Sequence, residues 1–139
     1  MHRLLACCVA LAYCLSTPVA SSAGSDVYTV SIDGRPLSDK PKDIGALDRY
    51  GVVYVDVVLM TRAFSGLLTF HQGGKVLMVS IEQHNATFTV GRGLGAPFIY
   101  NGDMFVPLIA FARFTRSTFT IDRKAHAVAL ATTRQPAPR

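Results

Sequence analysis

Arg62 and Arg113 stand at matching places in two similar stretches, "VVYVDVVLMTRAF" and "MFVPLIAFARF", and Phe114 closes the second. A guanidinium is a planar fork of donors that grips a carboxylate through two parallel hydrogen bonds. Two of them at equivalent positions could hold carboxylates or acidic glycans. An aromatic beside a cation is a common pairing at protein contacts, which adds Phe114. These three residues are the candidate partner contacts, for a protein or a cell-wall polymer. Solvated helix faces account for the two arginines equally well.

The other chemistry-bearing residues point away from an enzyme. There is no Gly-x-Ser-x-Gly nucleophile elbow, and acids such as Glu82 and Asp103 fall in turns or at strand ends without an evident partner. His71, His84 and His126 have neither helical i,i+4 nor short strand spacing, so no metal or cofactor is expected. "GRGLG", Gly91 to Gly95, superficially suggests a phosphate loop, but no Lys-Ser/Thr follows and Pro97 with a strand stands where a helix should begin. It reads as a loop between two units. Asn85-Ala86-Thr87 matches a glycosylation acceptor only as a three-residue string.

The elements that must position these residues repeat. Shifting the chain by 51 lays Gly51–Val79 over Gly102–Leu130, with Gly51 on Gly102, Val55 on Val106, Arg62 on Arg113 and Thr69 on Thr120, and with coincident apolar positions between them. Each copy reads as strand, short helix, strand, turn, strand. Asn101-Gly102 signals a type I′ turn between Phe98–Tyr100 and Met104–Val106. Pro107 is expected at the first helical position, where its missing N–H costs nothing, and its counterpart Asp56 suits the same helix start as an acid facing the positive end of the dipole. Leu108, Phe111, Ala112 and Thr115 share one helical face, as do Val57, Met60, Thr61 and Phe64, and both faces should be core. Strands are expected at Leu67–Phe70, Lys75–Ile81, Thr87–Val90, Thr118–Ile121 and His126–Ala131. Ahead of the repeats, Val27–Ile32 is a strand with Asp33-Gly34 as a hairpin turn, and "RPLSDKPKDIGALDR" is a long connection with one short extended piece at most.

The chain's start has signal-peptide architecture: the basic Met1-His2-Arg3, an apolar run from Leu4 to Leu15, and small residues before a cut expected after Ala23. That run is shorter than the roughly 20 apolar residues of a membrane helix, so export without an anchor is expected, to the exterior or the periplasm and cell envelope. The expected division is 1–23 leader, 24–131 domain and 132–139 disordered tail. Cys7, Cys8 and Cys14 all fall in the leader, which leaves the domain without thiol chemistry or disulfides. The formal net charge of +5 drops by one when Arg3 leaves, and Arg134 and Arg139 carry part of the remainder in the tail. The domain's excess is too small for a nucleic-acid surface, and "RKAH" at 123–126 reads as a solvated turn.

From "NGDMFVPLIAFARF" through "STFTID" to "HAVAL", residues 101–130, the chain resembles the copper amine oxidase N-terminal-like domain, a stalk module common in exported bacterial proteins. "VSIDGRPL" and Thr89-Val90-Gly91 are similar to that family's first strand and to the strand between its copies. The chain is identified as a divergent member: Ile109 and Val58 stand where the family usually has arginine, Asp56 where it has proline, and Arg116 and Ser65 where a glycine is common. The resemblance implies an α+β fold, a small twisted antiparallel sheet packed with two short helices in two strand-helix-strand-strand pseudo-repeats. It also implies a non-catalytic interaction module, without copper chemistry, which in the family's enzymes belongs to a separate domain. A homo-oligomerising structural unit without a ligand is the alternative.

Overall fold

The computed structural model describes residues 25–133; the predicted leader and the tail beyond Thr133 lie outside the described residues. The chain is mixed α and β and mostly strand. It runs β1 Ser25–Ile32, β2 Arg35–Pro36, β3 Ala46–Arg49, β4 Val52–Asp56, α1 Val57–Ala63, β5 Leu67–His71, a 3-10 turn Gln72–Gly74, β6 Val76–Ile81, β7 His84–Thr89, β8 Phe98–Tyr100, β9 Asp103–Pro107, α2 Leu108–Thr115, β10 Ser117–Asp122 and β11 Ala127–Thr132.

The described residues form two sheets where one was expected. The larger has the order β10-β11-β1-β3-β4-β9-β8 with β2 beside β1, and the smaller is β5-β6-β7. The larger is not wholly antiparallel either. β1 changes partner midway: Ser25–Tyr28 pair antiparallel with β3, while Thr29–Ile32 pair parallel with β11. The supposed long connection supplies β2 and a second strand, β3, whose Ala46, Leu47 and Asp48 are buried. β11 extends one residue past the expected domain end, because Thr132 donates its N–H and hydroxyl to the Asp33 carboxylate at 2.9 and 2.5 Å.

Turn chemistry explains much of the local order. Asp33 and Gly34, like Asn101 and Gly102, take positive φ at both central hairpin positions, the conformation that a type I′ turn requires. Ser65 and Arg116 adopt φ of 56° and 54° just past the helices. Both helix starts lie one residue from expectation. Asp56 and Pro107 are N-caps, still extended at ψ 109° and 132°, and the helices begin at Val57 and Leu108. Pro107 remains in the ladder opposite Tyr54, so the strand holds it until the helix takes over.

The strand registers are related by the same shift of 51 residues. Leu47↔Tyr54 in β3–β4 becomes Phe98↔Phe105 in β8–β9, and Leu67↔Ser80 in β5–β6 becomes Thr118↔Ala131 in β10–β11. The β4–β9 ladder maps onto itself about Val55↔Val106, since Tyr54↔Pro107 turns into Asp56↔Phe105. The flanking strands break the pattern, as β7 pairs antiparallel with β6 while β1 pairs parallel with β11.

Both faces of the central strands are covered. Val53, Val55, Met104 and Val106 meet Val57, Met60, Leu108 and Phe111 in the main core, and Leu47, Tyr54 and Phe105 form a second cluster on the opposite face. Burial of each such large side chain contributes about 1.5–3 kcal/mol relative to exposure. The helical faces expected to be core are indeed turned inward, with Val57, Met60, Thr61, Leu108, Phe111 and Ala112 buried.

One buried group is imperfectly served. Among the described residues the Thr61 hydroxyl has no hydrogen-bond partner although the residue is fully buried, and the 51-shift places Ala112 at the same point of α2. An orphaned buried hydroxyl carries its desolvation cost without compensation. Thr61→Val keeps the shape and removes the hydroxyl, and should raise stability by about 1 kcal/mol in urea unfolding.

Candidate functional site

The structure gives the three residues picked from sequence different surroundings. Arg62 and Arg113 are both exposed, each in the last turn of its helix, where a cation complements the partial negative charge of the unpaired carbonyls. Phe114 is not an exposed contact. It is half-buried against the main core, edge-on to Phe88 at 6.5 Å and to Phe111 at 6.1 Å. Its apolar ring is drawn inward where the two sheets meet the helix, so it does not stand beside Arg113 as a surface pair.

Arg62 differs from Arg113 in its surroundings. It lines a polar groove of about 350 Å³ with Lys40, Lys42, Asp43, Asp56, Tyr100 and Asp103. Strand register builds its floor. Asp56 lies opposite Phe105, Asp103 is two residues earlier on the same strand, and Tyr100 is opposite Asp103. Side chains two apart on a strand share a face, so Asp56, Asp103 and Tyr100 project from one side of the sheet, continuing the face that carries Leu47, Tyr54 and Phe105. The Tyr100 ring stands edge-on to Phe105 at 6.1 Å. The loop wall is self-supporting: Ser38 Oγ donates to Asp43 at 2.5 Å, the Lys40 amide donates to Ser38 Oγ at 3.1 Å and the Asp43 amide donates to Lys40 O at 3.1 Å.

Asp56 is the most perturbed group of the groove. Its Oδ1 accepts the amide hydrogens of Val58 at 2.9 Å and Leu59 at 3.1 Å, and its own amide donates to Gly45 O at 2.9 Å. Burial pushes its pKa up to about 6; the Leu59 amide works against that, and the charge of Asp103 adds to it. The sequence marked Asp56 only as a helix start and Asp103 only as a turn residue. The available signal was the contrast between copies, since the shifted partners of Asp56 and Asp103 are Pro107 and Val52.

The other predicted chemistry is dispersed. His71 and His84 are exposed at strand ends, and the His126 ring lies tilted by 31° against Tyr28 with ring centres 5.1 Å apart. Among the described residues no group of three histidine, cysteine or acidic side chains is arranged to hold a metal. Gly93 and Gly95 take positive φ in a loop, and the Gly95 amide donates to the Tyr54 hydroxyl at 2.6 Å. The 123–126 turn is not merely solvated. Arg123 pairs with the Asp48 carboxylate and donates to Gly51 O at 3.1 Å, while Asp48 Oδ1 accepts the Gly51 amide at 2.8 Å. The bond to Asp48 holds the Arg123 guanidinium protonated even more firmly than usual. Among the described residues no helix is long and apolar enough to cross a membrane. Compared with family models, curated proteins and solved structures, the chain matches none.

Proposed function

We propose that the protein is an exported, non-catalytic interaction module of the amine oxidase stalk type, assembled from two copies of one strand-strand-helix-strand-strand unit and acting at the cell envelope. The observation that carries the reading is the shared register: two pairs of ladders obey one 51-residue shift, and the β4–β9 ladder is symmetric about its own centre. The segments on which the resemblance rests support it too, since the Asn101-Gly102 hairpin, the start of α2 and the β10–β11 hairpin occupy corresponding places in that arrangement. The contacts belong to exposed surface, with Arg62 and Arg113 as the cationic positions.

Co-sedimentation with isolated cell-wall polymer tests this reading. Retention should fall several-fold in the double variant Arg62→Ala/Arg113→Ala, and sequencing of the exported protein should start at Gly24. A protein that stays in the supernatant at every polymer concentration, or begins at Met1, would sink it.

A second reading, self-association without a ligand, is favoured by β5. This edge strand has neither charge nor proline, the usual guards against edge pairing, and its Leu67 and Phe70 are 75% and 53% exposed. On this reading the wild type elutes as a dimer at about 100 μM, and Leu67→Lys/Phe70→Lys elutes as a monomer with its unfolding midpoint nearly unchanged. A wild type that stays monomeric at that concentration removes this reading.

A further inference from the structure

We propose that the groove beside α1 binds a molecule carrying both a primary ammonium and an anionic group, with Asp56 and Asp103 taking the ammonium and Arg62, Lys40 and Lys42 the anion. The proposal does not depend on export, on wall binding or on self-association.

The floor of the groove is built to attract a cation. Asp56 is only 3% exposed, yet it lines the groove, and both of its side-chain hydrogen bonds fall on Oδ1. Its Oδ2 has no partner among the described residues. Asp103 likewise has no side-chain hydrogen bond or ion pair among them. The two residues are diagonal neighbours across the β4–β9 ladder, which sets their Cβ atoms roughly 7–8 Å apart or less, a span that two carboxylates can close around one ammonium. Two acids held together without a counter-ion repel each other, and Asp43 adds to the charge acting on Asp56. Tyr100, 37% exposed and directly across from Asp103, supplies an aromatic surface of the kind that attracts ammonium groups.

The scaffold uses Asp56 as the N-cap of α1 through Oδ1 alone and asks nothing of Asp103. The 51-shift puts Pro107 and Val52 at the matching positions, and α2 starts from Pro107 without a side-chain cap. A ligand accounts for what the scaffold leaves unexplained. The cations of the groove sit differently: Lys40, Lys42 and Arg62 line it without pairing with Asp56 or Asp103, so they remain available for an anionic group on the same molecule. The volume falls at the small end of ligand sites.

The groups facing Asp56 are Asp103 and Tyr100 from the β8–β9 hairpin, Lys40, Lys42 and Asp43 from the preceding loop, and Arg62 from its own helix. Because the Asp56 carboxyl ionises near 6, binding should strengthen as pH rises through that value. Affinity at pH 7 should be about tenfold that at pH 5.

The probe is alanyl-alanine, titrated into the purified isotope-labelled protein and followed by amide chemical shifts. Saturable shifts at Asp56, Tyr100 and Asp103 below about 10 mM are expected, with affinity at least tenfold lower in Asp103→Asn. Because Asp103 is exposed and its charge opposes that of Asp56, that variant should have an unfolding midpoint no lower than the wild type's. N-acetyl-alanyl-alanine, which lacks the ammonium, and alanyl-alanine amide, which lacks the carboxylate, should each bind at least tenfold more weakly. Equal binding of either analogue, an unaffected Asp103→Asn variant, or the absence of localised shifts would overturn the proposal.

Discussion

Gly66→Ala is expected to cost about 3 kcal/mol and to shift the urea unfolding midpoint accordingly. A Cβ at Gly66 would lie 2.7 Å from Ile81 Cγ1, 2.7 Å from Ser80 O and 2.8 Å from Thr61 Cγ2. Side chains alone could turn aside, but Ser80 O is backbone. It belongs to β6, where Ser80 faces Leu67 in the ladder. The added methyl must therefore push β6 away from the end of α1 or distort the turn, whose Gly66 amide donates to Thr61 O at 2.9 Å. Gly91→Ala is the matched control: there the new Cβ meets only the Ala96 Cβ at 3.1 Å, so the change should stay within about 1 kcal/mol. Equal losses in the two variants would show that the close approach at Gly66 does not matter to stability.

Asp56 should make the protein's stability respond to pH in the direction opposite to that of a salt-bridged acid. Its folded pKa of about 6 lies above the ordinary 3.8, so between those values the folded state binds the proton that the unfolded chain has released. Stability from this group is fully present below about 4 and is lost as pH rises through 6. At about 1.36 kcal/mol per pKa unit the loss is roughly 2–3 kcal/mol. Asp56→Asn isolates it, because asparagine caps a helix about as well as aspartate but does not ionise. The variant should be the more stable protein at pH 7.5 by roughly 2 kcal/mol, with the gap closing near pH 4. Asp56→Ala removes the cap as well and should recover about 1 kcal/mol less than the asparagine variant. Parallel stability curves for wild type and Asp56→Asn between pH 4 and 7.5 would contradict this account.

Local chemistry was legible along the chain. Asn101-Gly102 and Asp33-Gly34 announce their turns because few other residue pairs tolerate two successive positive φ values. Asp56 and Pro107 mark the helix starts to within one residue, because a strand-to-helix junction selects a capping side chain or a fixed φ. The apolar faces of α1 and α2 follow from helical periodicity alone. These signals act over a few residues, so the sequence carries them without help.

What only the tertiary structure decided depends on segments that are distant in the chain. β3 is four residues long and was hidden in a polar, proline-containing connection; it is a buried strand because β1 and β4 flank it. The parallel pairing of β1 with β11 joins the two ends of the described chain, and no local pattern specifies it. Phe114 turned inward because Phe88 and Phe111 were there to meet it. Asp56 and Asp103 lie far apart in sequence and become neighbours only through the register of β4 against β9. The sequence by itself determined the turns, the helix starts and the core faces, each set by backbone conformation over a few residues. The groove and its charge came from strand pairing, which depends on the burial of whole sheet faces and places side chains that no short stretch can relate.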